Sequence, residues 1–112
     1  MVKVYLWYQK DRLGCLTEEE KGYVWTPDLE KLEEIARENP FFALLFRLPR
    51  ERTVFDRIPS FYDEFAFSKR RDILEMAGVL PTDAPFARLV KMATLKWYTG
   101  YFYPSLSDTY PY

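Results

Sequence analysis

Apolar and polar positions alternate along the first 25 residues with the period of two that is typical of β-strands. The segment Val2–Trp7 follows this pattern and is predicted to be a strand with both faces partly covered. The polar stretch Gln9–Arg12 separates it from the apolar run Leu13–Leu16, which predicts a β-hairpin. A second polar turn over Glu18–Gly22 precedes a third short strand, Tyr23–Trp25.

The pattern then changes to the three- and four-residue spacing of a helix that buries one face. Its predicted start is Thr26–Asp28, because threonine can cap exposed backbone N–H groups and Pro27 is tolerated at the first helical position. The predicted apolar face consists of Leu29, Leu32, Ile35 and Ala36. The helix is predicted to end at Asn39, since the residue before a proline disfavours helical geometry.

The apolar run Phe41–Leu48 lies between two prolines, and its length and composition leave helix and strand both open. We favour a central strand, because a helix cannot start well after Pro40 without a cap. A charged turn at Arg50–Arg52 follows, and Thr53–Phe55 is predicted to be one more short strand.

The second half of the chain has the character of helices. The predicted caps are Ser60 for a short helix through Phe65, Ser68 for a helix that ends at Gly78, and Thr82 or Asp83 for a last helix. The predicted inward residues are Ile73, Leu74 and Ala77, and then Phe86, Leu89, Val90 and Ala93. The tail from Tyr98 onward is aromatic but has no clear period, so no element is predicted there.

Strands first and helices later predict an α+β fold rather than an alternating α/β fold. We expect a small antiparallel sheet or partial barrel from the N-terminal half, packed with three to four helices. A length of 112 residues fits one domain over residues 1–112. Trp7 and Trp25 are assigned to the sheet and its core.

Composition narrows the class of protein. Hydrophobic residues make up 48% and aromatic residues 19% of the chain, which is typical of a folded protein. The net charge is −1, and a chain without a basic excess is not expected to bind nucleic acid by itself. One cysteine, no apparent leader and no apolar run of roughly 20 residues predict a cytoplasmic protein with no membrane partner.

The sequence offers little catalytic chemistry. It contains no histidine, which is the commonest general base and metal ligand, and Cys15 alone cannot form a thiolate metal site. The four glycines are too scattered for a phosphate-binding loop, and carboxylate runs such as Glu18–Glu20 are typical of solvated surfaces. We therefore predict no catalytic, cofactor-binding or metal-binding residues, and no enzyme.

Short motifs run through nearly the whole chain: Val2–Leu6, Leu13–Leu16, Phe46–Arg50, Phe61–Ala66 with Arg71, Ile73–Leu74, Asp83–Phe86, Leu89–Val90 and Gly100. In order and spacing they resemble the N-terminal subdomain of HipA-type serine/threonine kinase toxins, with its V-x-L/V-Y-L strand, glycine-leucine step, S-L-P-L/R segment and F-F-x-N-L-L-P-E-G-x-x-R block. The chain departs from this pattern where Phe67–Lys69 replaces the P-E-G step and Lys96–Thr99 replaces a glycine-rich turn.

No kinase catalytic-loop or metal-binding motif is present, so the chain resembles a freestanding copy of that subdomain, similar to the HipS-like small subunits of three-component HipBST toxin–antitoxin systems. The resemblance implies an antitoxin that binds and restrains a separate HipT-like kinase. The alternative is an assembly module that bridges such a kinase to a DNA-bound helix-turn-helix repressor without inhibiting it. A small-molecule or nucleic-acid module would need an open apolar pocket or a basic face, and the sequence shows neither.

Interface energy concentrates in a few large aromatic or arginine side chains. The candidate partner-binding residues are Phe65, Phe67, Lys69, Arg70, Trp97 and Tyr98. Phe65 lies four residues after Phe61, a spacing that favours the core over the surface. Phe67, beside Ser68 at a predicted helix start, is either exposed or a hydrophobic staple that fixes chain entry.

The other candidates also have two interpretations. Trp97 and Tyr98 follow a helix, where a large aromatic residue in a loop can anchor a partner or cover a sheet edge. The basic cluster Lys69–Arg71 is either a solvated helix face or a contact for acidic or phosphate groups of the partner.

Overall fold

The computed structural model describes residues 1–40, 48–98 and 101–112. The strands are β1 (Val4–Tyr8), β2 (Asp11–Glu19), β3 (Gly22–Pro27), β4 (Thr53–Phe55) and β5 (Phe102–Ser105). In the described part they form one antiparallel sheet in the order β4-β3-β2-β1-β5. The α+β prediction with a small antiparallel sheet is confirmed.

Among the described residues, the helices are α1 (Leu29–Glu38), a 3₁₀ turn (Ser60–Tyr62) that leads into α2 (Asp63–Ala66), α3 (Arg71–Ala77) and α4 (Pro85–Met92). The strand predicted over Phe41–Leu48 lies outside the described residues except at Leu48, which is half-buried. The strand predicted at Thr53–Phe55 is confirmed as β4.

The predicted start of α1 is wrong by two residues. Pairing of Gly14 with Pro27 extends β3, so Asp28 takes the N-cap position instead of Thr26. The Asp28 side chain makes no capping hydrogen bond, and its carboxylate instead accepts a hydrogen bond of 3.3 Å from Arg12 on β2. Sheet pairing therefore decided where the helix begins. The predicted end at Asn39 is confirmed.

The later predicted caps are also wrong, although the helices exist. The N-cap positions are taken by Pro59, Arg70 and Ala84, and none of them makes a side-chain capping bond. Ser68 accepts a bond of 3.3 Å from the N–H of Arg70 in a local turn, ahead of the helix. The stop at Gly78 is confirmed by its left-handed φ of 73°.

The C-terminal tail contains a strand that the sequence pattern did not reveal. β5 pairs antiparallel with β1, from Tyr5 opposite Ser105 to Tyr8 opposite Phe102. Pro104 argues against a central strand, but proline is tolerated on an edge, where one side of the strand needs no partner. The tail thus covers the β1 side of the sheet.

The main core lies between the sheet and the helices. Its buried residues are Val4, Leu6, Leu13, Leu16, Trp25, Leu32, Ile35, Ile58, Tyr62, Phe65, Ala66, Phe86, Leu89 and Ala93. Trp25 packs edge-on against Phe61 and Tyr62, and the Tyr62 hydroxyl donates a 2.8 Å hydrogen bond to the carbonyl of Val4. The assignment of Trp25 to the core is therefore confirmed.

The opposite face of the sheet, the outer face, has a second aromatic cluster. Trp7 is buried there and contacts the rings of Tyr103 and Tyr110, and its indole N–H donates to the carbonyl of Ser107 at 3.2 Å. The tail after β5 therefore holds Trp7 in the sheet, as the sequence predicted for that residue.

The predicted inward face of the last helix is confirmed at Phe86, Leu89 and Ala93, and Val90 is half-buried. Met92 is also buried but was not predicted. The inward residues predicted for α3, by contrast, are only half-buried, and α3 has no fully buried residue.

Asp83 organises the loop between α3 and α4. Its carboxylate accepts hydrogen bonds from the N–H of Leu80 at 2.8 Å and from the Lys91 ammonium at 2.7 Å, while Lys91 also donates to the carbonyl of Gly78 at 3.0 Å. The Leu80 bond and then the Lys91 bond lower the pKa of Asp83 below its ordinary value. The loop and both helices therefore share one charged contact.

Replacement of Asp83 by asparagine is expected to flatten the acid dependence of stability. Because its folded-state pKa is lowered, the carboxylate stabilises the fold above about pH 4, and this contribution is lost as pH falls through the folded pKa. Urea unfolding at pH 6 and at pH 2.5 measures the effect. If the wild type lost no more stability than Asp83→Asn between pH 6 and pH 2.5, the stabilising role of the Asp83 carboxylate would be contradicted.

Candidate partner-binding surface

The contact between Phe65 and Trp97 joins two of the predicted segments. Phe65 lies in α2 and is only 2% exposed, and its ring meets the half-buried Trp97 edge-on at a centroid distance of 5.1 Å. The indole N–H of Trp97 donates a 2.9 Å hydrogen bond to the carbonyl of Met92 at the end of α4. These interactions place Phe65 in the core and show that Trp97 packs against the fold instead of projecting into solvent.

Next to this contact, the chain exposes large aromatic side chains. Phe67 is 48% exposed and lies two residues after Phe65, and Tyr98 is 73% exposed and follows Trp97 directly. The Tyr98 ring contacts that of the exposed Tyr101 at 5.3 Å. Exposed apolar groups held on ordered segments are typical of interaction sites.

Phe67 does not act as a hydrophobic staple for α3. A staple residue directly precedes the N-cap. Since Arg70 is the N-cap of α3, Phe67 lies two positions too early, and its side chain is half exposed. The structure thus resolves the two interpretations of Phe67 in favour of exposure.

The basic cluster Lys69–Arg71 is exposed, but its members are not equivalent. Arg70 donates a 2.9 Å hydrogen bond to Asp72, and this bond is the main cause that lowers the pKa of Asp72. Part of the Arg70 charge is therefore neutralised. Within residues 1–40, 48–98 and 101–112, Lys69 has no ion pair shorter than 4.0 Å and remains available to a partner.

We define the candidate surface as the exposed side chains of Phe67, Lys69, Tyr98 and Tyr101. Sequence reasoning found the first three of them. It missed Tyr101, because the aromatic residues of the tail have no regular spacing that would distinguish exposed rings from buried ones. The structure separates them by strand pairing: Tyr101 lies just before β5 and is exposed, whereas Tyr103 is buried in β5.

The last residue of the chain also reaches this region. The Tyr112 hydroxyl accepts a hydrogen bond from the backbone N–H of Trp97, and its ring meets Tyr103 edge-on at 5.4 Å. The Tyr103 hydroxyl donates a 2.6 Å bond to the carbonyl of Gln9, and burial is the main cause that raises the pKa of Tyr103 to about 12. The tail therefore connects the candidate surface to the sheet.

Other chemistry is limited in the described part of the chain. Burial raises the pKa of the half-buried Cys15 thiol and so favours its less nucleophilic protonated form. Among residues 1–40, 48–98 and 101–112 there is no group of three or more His, Cys, Asp or Glu side chains that could hold a metal ion. The helices in these ranges include none with the length and apolar character to cross a membrane.

Comparison with known proteins gave no match to a protein-family model, to a curated protein or to a solved structure.

Proposed function

We propose that this chain is a non-catalytic, antitoxin-like subunit that binds a HipT-like serine/threonine kinase in the cytoplasm and lowers its activity. The observation that carries the binding role is the candidate surface, where the exposed Phe67 and Tyr98 closely follow in sequence Phe65 and Trp97, whose rings are in contact. The choice of a kinase as the partner rests on the resemblance of the sequence motifs to the HipA N-terminal subdomain.

The physical support for a binding role is preorganisation. Phe65 and Trp97 hold the two segments that carry the exposed rings, so little conformational entropy remains to be lost when a partner covers them. Aromatic side chains bury a large area on few rotatable bonds and are therefore favoured in interfaces. Lys69 adds a positive charge for acidic groups at the rim of the contact.

Mixing the purified chain with a HipT-like kinase tests the proposed function. Complex formation is measured by size-exclusion chromatography with light scattering, and kinase activity by autophosphorylation. Binding together with reduced autophosphorylation supports the proposal. Binding without any change in autophosphorylation rejects inhibition and favours the assembly module, which is then tested on operator DNA with the repressor. Absence of a complex rejects both.

Tyr98→Ala and Phe67→Ala are each expected to weaken kinase binding about 10- to 30-fold, because buried aromatic anchors contribute about 2 kcal/mol at interfaces. Isothermal titration calorimetry measures the change. These positions are better probes than Trp97, whose truncation would also remove a contact with Phe65 and perturb packing.

Leu106→Ala is the matched control, because it also truncates an exposed large apolar residue but lies in the tail after β5. Its affinity is expected to stay within about twofold of the wild type. Equal losses in Leu106→Ala and Tyr98→Ala, or no loss in either aromatic variant, would remove the candidate surface from the interface.

A further inference from the structure

A separate groove lies at the β4 edge of the sheet, on its outer face. Val24 and Val54 are opposite each other in the β3–β4 register, and both point away from the core residue Trp25. Val54 is 47% exposed, and Met1 lines the same groove, whose volume is about 1050 Å³. Val24 itself is buried, at 2% exposure, so the apolar part of the groove that is open to solvent consists of Val54 and Met1.

The β4 strand borders this groove and is an edge of the sheet. It pairs with β3 over Thr53–Phe55, and its other side has no strand beside it in the described residues. Edge strands expose backbone N–H and C=O groups that can pair with another chain. The opposite edge contains Pro104, which lacks an N–H, whereas β4 contains neither proline nor lysine. Of the two edges, β4 is therefore the one better able to pair with another strand.

The rim of the groove carries more negative than positive charge. Its carboxylates are Glu18, Glu19, Glu20 and Asp56, and its cations are Lys21 and Arg52. Glu19 is already engaged, since it lies 3.8 Å from Arg52 and accepts a 3.1 Å hydrogen bond from Thr17. Among the described residues, the other three carboxylates have no basic side chain within 4.0 Å, and so a cationic partner is favoured.

We propose that this groove binds an extended segment of a partner protein in which every second side chain faces the groove and these groove-facing side chains are in turn apolar and basic. The segment adds to the sheet as a strand beside β4. Val54 and Asp56 are two positions apart and both line the groove, so a groove-facing apolar side chain of the segment packs on Val54, and the next groove-facing side chain, a basic one, meets Glu20 and Asp56. This interface uses residues other than the candidate surface, so it stands whether or not the kinase proposal is correct.

Titration of the ¹⁵N-labelled chain with the peptide acetyl-Val-Thr-Lys-Thr-Val-Thr-Lys-amide, whose valines and lysines share one face of a strand, tests this proposal. Chemical-shift changes are expected to concentrate in residues 18–24 and 52–56. The double variant Glu20→Lys/Asp56→Lys is expected to weaken binding about tenfold or more. The control Glu30→Lys/Glu33→Lys makes the same change in charge on exposed positions of α1 and is expected to stay within about twofold of the wild type.

Two further peptides separate strand addition from charge attraction. The same peptide with N-methylated valines cannot donate those backbone hydrogen bonds and is expected to bind at least about fivefold more weakly. The sequence with Glu in place of Lys is expected not to bind. Equal binding of the Glu peptide, equal effects of the two charge variants, or absence of shifts in these residues at about 1 mM peptide would overturn the proposal.

A second copy of the chain is the competing occupant of the β4 edge. Light scattering over a range of protein concentrations distinguishes it. A dimer that Val54→Arg converts to a monomer would overturn the proposal and assign this edge to self-association. A monomer at all concentrations, together with the peptide-induced shifts, supports a basic partner segment.

Discussion

Replacement of Trp25 by alanine is expected to lower the free energy of unfolding by about 3–5 kcal/mol. The side chain is fully buried, packs against the rings of Phe61 and Tyr62, and donates a 2.9 Å hydrogen bond to the carbonyl of Pro49. Alanine would leave a large cavity between the sheet and the helices, and the carbonyl of Pro49 would lose its donor. Urea unfolding followed by far-UV circular dichroism measures the loss.

Two controls separate burial from general sensitivity to losing an aromatic ring. Trp25→Phe keeps a ring but lacks the N–H, and its cost is expected to be about half that of alanine. Tyr101→Ala truncates a ring that is 69% exposed and is expected to change stability by less than about 0.5 kcal/mol. A loss below about 1.5 kcal/mol in Trp25→Ala would show that this residue is not central to the core.

Replacement of Gly22 by alanine is expected to cost about 2–4 kcal/mol of folding stability, from backbone strain and a steric clash together. Gly22 has a φ of 130°, which L-residues rarely adopt, and an added Cβ would collide with the carbonyl oxygen of Phe55 in β4. That oxygen belongs to the backbone, so β4 would have to move away from β3. Urea unfolding and loss of amide protection in β4 by hydrogen exchange measure the effect.

Gly78 is the matched control for this substitution. It also has a positive φ, of 73°, but an added Cβ there would meet no atom within 4 Å. Gly78→Ala is therefore expected to cost only the conformational strain, about 1 kcal/mol. If the two alanine variants lost the same stability, the close approach of Gly22 to β4 would not contribute to the fold.

Local patterns in the sequence predicted the elements better than their ends. Apolar residues alternate in the first 25 positions and recur every three to four positions in the helices. These spacings place the apolar side chains on one face of a strand or helix, where they can be buried. The caps predicted at Thr26 and Ser68 were wrong because other local interactions include these residues. Thr26 belongs to β3, because β2–β3 pairing extends through it to Pro27. The Ser68 hydroxyl accepts a hydrogen bond from the N–H of Arg70 in a local turn ahead of α3.

The candidate surface was also predicted only in part. Aromatic and basic residues in the sequence indicated the segments that carry it, and Phe67, Lys69 and Tyr98 are exposed in the structure. Sequence spacing could not show that Trp97 would pack on Phe65, since the two residues are 32 positions apart and come together only through the α2–α4 contact.

By itself, the sequence determined the class of fold, the first three strands with the helix that follows them, and the assignment of Trp7 and Trp25 to the sheet and its core, because these follow from short-range periodicity and from the burial of large apolar side chains. Only the tertiary structure decided that the tail adds a fifth strand beside β1, and which aromatic rings remain in solvent. Both depend on contacts between residues far apart in the chain, and such contacts do not produce a regular spacing of apolar residues in the sequence.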